Sequence, residues 1–223
     1  MLFEYIFVKG ENRKMTEIDR RRFDSSDIII GILNLTMLIA LIMDFIRGPI
    51  MNGVIGIIAI ILVSFFHFCW KKGAHKLVPK GIYIFGMVFV SIAVFWSNHL
   101  DLYKTFFFHD IALHFASGVL VVLLMGYLLP KRILEPMTMA ERIILFMVSA
   151  IAVAGGWEMI EFFTDMIMHS DVQRNFLREW EFFSTTWQNP AIIDSMNDMI
   201  NGTMGGALGC LIYGLKERTS RKK

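Results

Sequence analysis

Acidic side chains and one histidine recur at helical spacing in three apolar stretches of the second half of the chain. The residues are Asp110, His114, Glu158, Glu161, Asp194 and Asp198. Within each stretch they are three or four residues apart, and residues at that spacing share one face of a helix. Carboxylates and imidazoles are side chains that bind divalent metal ions in proteins. The spacing therefore predicts three helix faces that carry metal ligands.

The charge balance of these stretches favours a bound cation. No Lys or Arg lies within them, so internal salt bridges cannot neutralise the carboxylates. A charge inside a membrane span costs at least about 2.5 to 3.5 kcal/mol on insertion scales. Protonation, water that enters from outside, or a cation must therefore compensate it. We expect a divalent metal ion, since oxygen-rich ligation suits Mg, Mn or Ca and the histidine leaves Zn or Fe open.

All six residues are expected metal ligands, and Glu158, Glu161 and Asp198 are also the expected catalytic groups. For Asp110 and Asp194 an alternative explanation exists. Both lie near predicted helix ends, where a carboxylate can remain solvated at the membrane interface. For the deeper residues, Glu158, Glu161, His114 and Asp198, a functional role is favoured over this explanation.

The other histidines are weaker ligand candidates. His99, His109 and His169 are expected in loops, and His67 lies close to a basic connection. Asp44 in the first apolar stretch could join the site, but nothing in the sequence requires it.

Composition indicates that the predicted helix faces lie in a membrane. The chain has 223 residues, of which 55% are hydrophobic and 19% charged, whereas about 25% of a typical globular domain is charged. This balance excludes a soluble enzyme. The 20 Phe, 16 Met and 5 Trp exclude an intrinsically disordered chain. The two cysteines, Cys69 and Cys210, are too few for a disulfide scaffold.

Six apolar runs predict an all-α, polytopic integral membrane protein with six transmembrane helices. The runs are Ile28–Ile46, Ile50–Trp70, Val78–Trp96, Ile111–Leu129, Ile143–Ile167 and Ala191–Leu215. Pro79 and Pro190 are expected at the starts of the third and sixth helices. Small residues allow helices to approach closely in a membrane. Those expected between the last three helices are Gly118, Gly155, Gly156, Gly202, Gly205, Gly206 and Gly209.

Basic residues predict the orientation of these helices. All of the 22 Lys and Arg residues except Arg47, Lys104, Arg174 and Arg178 fall in the N-terminal arm, the second and fourth connections, and the tail. Basic connections remain in the cytoplasm, so both termini are expected there. The predicted division is a basic arm at 1–27, a membrane domain at 28–215 and a basic tail at 216–223.

The outer connection at 168–189 is the only long one. Its Phe176, Trp180, Phe183 and Trp187 recur at helical spacing, which predicts an amphipathic helix on the outer surface. Such a helix could be part of an ordinary aromatic belt or a lid over the acidic site.

Three segments of the second half resemble the motifs of a known family. HDIALHFASG, WEMIEFF and DSMNDMINGTMGG resemble the pattern of the YjdF-like family of uncharacterised bacterial inner-membrane proteins, and more weakly that of the VanZ-like family. The residues carried over are Asp110, His114, Gly118, Trp157, Glu158, Glu161, Asp194, Asp198 and Gly205. The chain departs from the family pattern at His109 and Ser195. The resemblance implies a bacterial plasma-membrane protein, and the VanZ-like motifs imply a loose link to glycopeptide or envelope-targeting compounds.

Three classes of function fit these observations. In an enzyme, the metal would activate water or polarise a phosphoryl or acyl group of an outer-leaflet lipid or envelope precursor. In a proton- or metal-coupled transporter, the acids would form a relay. In a non-catalytic accessory membrane protein, they would be protonated and hydrogen-bonded between helices. Membrane lipid is the expected partner and nucleic acid is not, while the substrate and the oligomeric state stay open.

Overall fold

The computed structural model describes residues 24–47, 50–106, 108–169, 173 and 190–220, and these segments are helical without any strand. The chain forms two compact units, unit 1 at 1–102 and unit 2 at 103–223. Unit 1 contains α1 (Ser25–Arg47), α2 (Ile50–Lys72), α3 (Lys80–Val90) and α4 (Ser97–His99), and the short α5 (Leu102–Thr105) follows at the boundary. Unit 2 contains α6 (His109–Leu128), α7 (Lys131–Leu134), α8 (Met139–Met168) and α9 (Pro190–Ser220).

Five helical segments of the described chain are long and apolar enough to cross a membrane. They are Ser25–Ile46, Gly53–Lys72, Lys80–His99, His109–Leu128 and Met139–Ile167. The sequence predicted a span in each of these places and a sixth at Ala191–Leu215. That sixth run is helical within α9, but its glycines, asparagines and aspartates make it less apolar than the other five. The all-helical fold with several apolar helices is that of a polytopic membrane protein.

Unit 1 is built on the contact between α1 and α2. Met37 on α1 and Val63 on α2 are fully buried, whereas Ile46 and Phe68 on the same helices are exposed. Apolar residues thus occupy both the inner and the outer faces, a pattern that a water-soluble helix does not show.

The first turn of α1 is capped by side chains. Asp24 Oδ1 accepts hydrogen bonds from the hydroxyl and the amide of Ser26, and Asp27 Oδ2 accepts one from the Asp24 amide at 2.7 Å. The pKa of the Asp24 carboxyl is lowered to about 2, chiefly because the hydroxyl of Ser26 donates a hydrogen bond to the carboxylate. These bonds satisfy amide groups that a helix N-terminus leaves without internal partners.

A π-helical segment, Ser91–Trp96, joins α3 to α4. Ser97 Oγ donates to the carbonyl of Ile92 at 2.6 Å, and the ring of His99 stacks on that of Phe95 with centroids 5.3 Å apart. The helical path therefore continues as far as His99, and the expectation of a loop there is wrong. The same expectation is wrong for His109, which is the first residue of α6 and donates its amide to the carbonyl of Phe106 at 3.0 Å.

Unit 2 consists of α6, α8 and α9 packed on one another. Val122, Phe146, Ala150, Cys210 and Tyr213 form its buried apolar core. The prolines act as predicted in both units: Pro79 is the N-cap of α3 and Pro190 the first residue of α9.

One end of unit 2 is held by a buried arginine. Arg142 Nε donates to the carbonyl of Leu134 at 2.9 Å, and its NH1 donates to Tyr213 Oη at 3.2 Å. The same guanidinium lies 3.6 Å from Glu217 Oε2. These contacts tie α7, α8 and α9 together beside the connection between α6 and α8.

Several predicted segments lie outside the described residues. They include the basic arm as far as residue 23, nearly all of the outer connection at 168–189, and the last three residues of the tail. The amphipathic outer helix and the division at 1–27, 28–215 and 216–223 therefore stay predictions.

Candidate metal centre

Glycines set the distance between α6 and α9. A Cβ atom at Gly118 would lie 2.0 Å from the carbonyl oxygen of Gly202, and one at Gly205 would lie 1.9 Å from that of Phe115. Side chains cannot be accommodated at such distances, so the two backbones touch directly. This contact is the form of helix packing that small residues permit in membranes.

Helix α8 meets α9 through further small residues. A Cβ at Gly206 would lie 2.8 Å from Ala150 Cβ, and one at Gly202 would lie 3.2 Å from Ala154 Cβ. Gly156, which the sequence placed in the same contact, has nothing within 4 Å of an added Cβ. Three helices thus approach closely enough for their polar faces to meet, but not every glycine of the stripe takes part.

At the end of unit 2 opposite Arg142, two of these helices bring three candidate ligands together. Asp110 and His114 belong to the first turns of α6, and Asp198 to the beginning of α9. One ligand atom from each lies within 4.8 Å of the other two. His114 Nε2 is 3.4 Å from Asp198 Oδ2 and 3.6 Å from Asp110 Oδ1.

These distances are compatible with a metal ion shared by the three side chains. A charge-assisted N–H···O bond is about 2.7 to 2.9 Å long, shorter than either separation. Ligand atoms at about 2.1 Å from one tetrahedral Zn²⁺ are about 3.4 Å apart. Two ligand atoms that each lie about 2.4 Å from a Ca²⁺ ion, in directions 90° apart, are also about 3.4 Å from each other. The geometry therefore accepts a cation between the imidazole and the carboxylates, but does not select the metal.

The three side chains are shielded from water. His114 is 8% exposed and Asp198 3%, and Asp110 is partly buried. Ser117 Oγ donates to the carbonyl of His114 at 2.7 Å, a bond typical of hydroxyl groups within helices. Buried charges are costly unless they are paired or bind a metal, so this burial is consistent with a cation site.

Three further acids lie around this triad. Glu158 is 7% and Asp194 4% exposed, so Asp194 is buried rather than solvated as its position near a helix end suggested. The Glu161 carboxylate interacts electrostatically with those of Glu158, Asp110 and Asp194. Among the described residues, the triad is the only group of three or more His, Cys, Asp or Glu side chains whose ligand atoms all lie within 4.8 Å of one another.

A short polar bridge links the ends of α8 and α9 near these acids. The backbone amide of Gln173 donates to Asp165 Oδ2 at 2.9 Å, and its side-chain Nε2 donates to Ser195 Oγ at 3.2 Å. Ser195 is next to Asp194, so this bridge contacts the second turn of α9. Asp165 thus has a structural partner, which is a sufficient reason for its presence.

Comparison with known proteins gives a family and no activity. The family model described as "Predicted membrane protein (DUF2238)" matches residues 28–218. The chain belongs to this family. The resemblance to YjdF-like proteins agrees with it, since YjdF is a DUF2238 member. No curated protein and no solved structure matches the chain.

This DUF2238 member also contains acid–histidine contacts in unit 1 that sequence reasoning did not find. His99 Nδ1 lies 2.8 and 2.9 Å from the two oxygens of Asp44. His67 Nε2 lies 3.0 Å from Asp27 Oδ1, and its Nδ1 lies 2.7 Å from Tyr83 Oη. Each acid lies at the same end of its helix bundle as its histidine, so matching the depths of polar residues across predicted helices could have revealed both contacts.

Proposed function

We propose that this DUF2238 member binds a divalent metal ion in unit 2 through Asp110, His114 and Asp198. The observation that carries the proposal is the convergence of three buried or partly buried ligand atoms within 4.8 Å. They come from two helices whose backbones touch at glycines, so the ligand atoms cannot separate without disrupting the packing. Glu158, Glu161 and Asp194 provide additional carboxylates near this site for a reacting group.

The proposed topology has six spans, with α9 as the sixth. Both termini then lie in the cytoplasm, and the metal centre lies near the outer surface of a bacterial plasma membrane. The positions of basic residues in unit 2 support this orientation. Lys131, Arg132 and Lys216 lie at the end remote from the triad, and Lys216 Nζ lies 4.1 Å from the ring centroid of Tyr127. Basic residues mark the cytoplasmic ends of membrane helices.

The activity we propose is a metal-dependent reaction on an outer-leaflet lipid or an envelope precursor. Asp110, His114 and Asp198 would hold a divalent ion, which would supply Lewis-acid chemistry toward water or a carbonyl or phosphoryl oxygen. Glu158 and Glu161 would serve as proton acceptor and donor. The lipid-facing side of α8, with Met159 and Phe162 exposed, supports access from the membrane rather than from water.

A second candidate function is transport of protons or metal ions. It is favoured by the sequence of carboxylates along α8, in which Glu158, Glu161 and Asp165 follow one another at successive turns. Acids at successive depths in a membrane helix are typical of ion and proton pathways.

Metal content tests the proposed site. The protein is purified in detergent, loaded with Mn²⁺ or Zn²⁺, freed of excess metal, and analysed by mass spectrometry for metal per chain. We expect about one ion per wild-type chain and loss of most of it in Asp198→Asn, because loss of a ligand charge weakens a small site strongly. Glu135→Gln is the control, since Glu135 is an exposed acid at the other end of unit 2. Equal metal content in wild type and Asp198→Asn would reject the site.

Proteoliposomes separate the enzyme from the transporter. Vesicles with the metal-loaded protein are analysed for conversion of their lipids and, in parallel, for metal or proton flux with an enclosed dye. Conversion without flux supports the enzyme. Flux that disappears in Glu158→Gln supports the transporter and overturns the proposed reaction.

A further inference from the structure

A hydrogen-bonded polar pair lies on the surface of unit 1, between α1 and α2. Asn34 Nδ2 donates to Ser64 Oγ at 3.1 Å, and the bond is exposed. Asn34 is the tenth residue of the 22-residue span Ser25–Ile46, and Ser64 is the twelfth of the 20-residue span Gly53–Lys72. At a rise of about 1.5 Å per residue, each side chain starts within about 3 Å of the middle of its span. The pair therefore lies at the depth of the hydrocarbon core.

This pair has more donors than acceptors. The Asn34 amide has two N–H groups, and among the described residues their one acceptor is Ser64 Oγ. The Ser64 hydroxyl donates to no described group. By contrast, the hydroxyls of Thr36, Ser91 and Ser149 each donate to a carbonyl three or four residues earlier in the chain. No water is available in the hydrocarbon region, so one amide N–H and the Ser64 hydroxyl need acceptors from another molecule.

A rotation of the amide does not complete these bonds. Asn34 Oδ1 is buried and has no donor among the described residues. If the amide turned over, its NH₂ group would take that buried position and lack acceptors in the same way. Unit 1 alone therefore leaves this pair short of partners in either orientation.

The surface around the pair allows another helix to approach closely. Gly31 lies one turn before Asn34 and shares its face of α1. It is exposed, and an added Cβ there would meet nothing within 4 Å. Leu38, one turn after Asn34, and Ile61, one turn before Ser64, are exposed apolar residues. Small and polar residues side by side are typical of contacts between membrane helices.

The depth of the pair selects its partner. Headgroups and ester carbonyls of lipids lie at the borders of a hydrocarbon layer about 30 Å thick, which places them about 15 Å from its middle. Two copies of one membrane protein share the same orientation, and a two-fold axis brings the same surface of each copy together. A second copy thus presents the remaining lone pair of Ser64 Oγ, and the backbone carbonyls left uncovered at Gly31, at the level of the two donors.

We propose that Gly31, Asn34, Leu38, Ile61 and Ser64 form the interface of a two-fold symmetric dimer of this chain. Asn34 and Ser64 of each copy donate to polar atoms of the other, and Gly31 allows the backbones to approach. The inference is independent of the metal centre, because all five residues belong to unit 1.

Self-association in lipid bilayers tests this interface. Full-length protein with one fluorophore per chain is reconstituted in vesicles of phosphatidylethanolamine and phosphatidylglycerol at several protein-to-lipid ratios, and photobleaching steps give the fraction of dimers. We expect dimers of the wild type, and association at least about 3-fold weaker in Asn34→Leu and in Ser64→Ala, because such polar contacts have modest strength. Thr36→Val is the matched control and should dimerise like the wild type, since the exposed Thr36 already donates within its own helix.

A second variant keeps the test valid if Asn34→Leu does not fold. Gly31→Leu adds a side chain where the single chain has open space, so its thermal midpoint should equal that of the wild type or exceed it. The same side chain would keep the second copy away from the polar pair, and we expect the dimers to disappear.

Two results would overturn the proposal. Dimers that persist unchanged in Gly31→Leu would show that the copies meet elsewhere. A wild type that stays monomeric at the highest protein-to-lipid ratio would exclude the dimer, and an isoprenoid quinone found with that monomer by mass spectrometry would identify a lipid carbonyl as the acceptor instead.

Discussion

At the scale of single residues, the histidines of the two units have different surroundings. In unit 1, His99 and His67 lie 2.7 to 3.0 Å from their partners, which is the range of hydrogen bonds. In unit 2, His114 Nε2 lies 3.4 and 3.6 Å from oxygens of two different carboxylates. The first arrangement holds helices together, and the second is compatible with the metal ion proposed there.

The contact between Asp44 and His99 is therefore expected to stabilise unit 1 without any effect on metal binding. Asp44 is 7% exposed, and its replacement in Asp44→Ala leaves the imidazole without its acceptor. Loss of such a buried partner costs about 1 to 3 kcal/mol. We expect a lower midpoint of thermal unfolding in detergent and unchanged metal per chain.

Asp101→Asn is the matched control, because Asp101 is exposed in the same unit and asparagine tolerates its left-handed φ of 50°. Loss of metal in Asp44→Ala at unchanged stability would show that this acid belongs to the metal centre, contrary to the assignment made above.

At the scale of helices, sequence periodicity located the elements but not their ends. The fifth run was predicted to begin at Ile143, yet α8 begins at Met139 because Thr138 and Glu141 form a capping box. Thr138 Oγ1 accepts from the Glu141 amide at 3.3 Å, and Glu141 Oε2 accepts from the Thr138 amide at 2.6 Å. An apolar run ends where charge begins, whereas a helix ends where its amides find other partners.

The glycine contact between α6 and α9 should determine whether the metal centre exists. Gly118→Ala and Gly205→Ala place a methyl group about 2 Å from backbone oxygens. The helices must separate, which moves Asp198 away from His114. We expect both variants to lose metal and to unfold at lower temperature, with a cost in the range of about 1 to 3 kcal/mol or more for overpacking.

Gly156→Ala is the control for this prediction, because nothing lies within 4 Å of its added Cβ. Alanine within a helix favours the helical state by about 1 kcal/mol more than glycine does. This variant should therefore be at least as stable as the wild type. Full metal binding in Gly118→Ala would contradict a site that depends on close contact of the helices.

At the scale of the whole molecule, the sequence predicted the class of fold and the helices that carry the site. Charge cost within apolar runs identified His114 and Asp198 as unusual, because each needs a partner in a membrane, whereas Asp110 lies just before its run and could have been solvated at the interface. It did not identify which of six candidates would meet, since that depends on helix rotation. The backbone contacts at Gly118 and Gly205 fix this rotation, and a sequence shows small residues without showing what they touch.

The number of spans is also a property of the whole molecule. Five apolar helices would place the termini on opposite sides of the membrane, and six would place both on one side. We expect green fluorescent protein to fluoresce when fused after Lys223, and alkaline phosphatase to be active when inserted in the connection at 168–189 but inactive when fused after Lys223. These reporters distinguish the two sides because the first folds only inside the cytoplasm and the second only outside it.

An active alkaline phosphatase fusion after Lys223, together with a cytoplasmic N-terminus, would show that α9 does not cross the membrane. The metal centre would then need another orientation, although its contacts within unit 2 would be unchanged.

The most direct test of the central claim is X-ray absorption spectroscopy of the Zn²⁺-loaded protein. We expect oxygen and nitrogen ligands at about 2.0 to 2.1 Å, with the outer scattering of one imidazole that is absent in His114→Gln and retained in His109→Gln. A spectrum without imidazole in the wild type, or one that His114→Gln leaves unchanged, would contradict a metal ion shared by Asp110, His114 and Asp198.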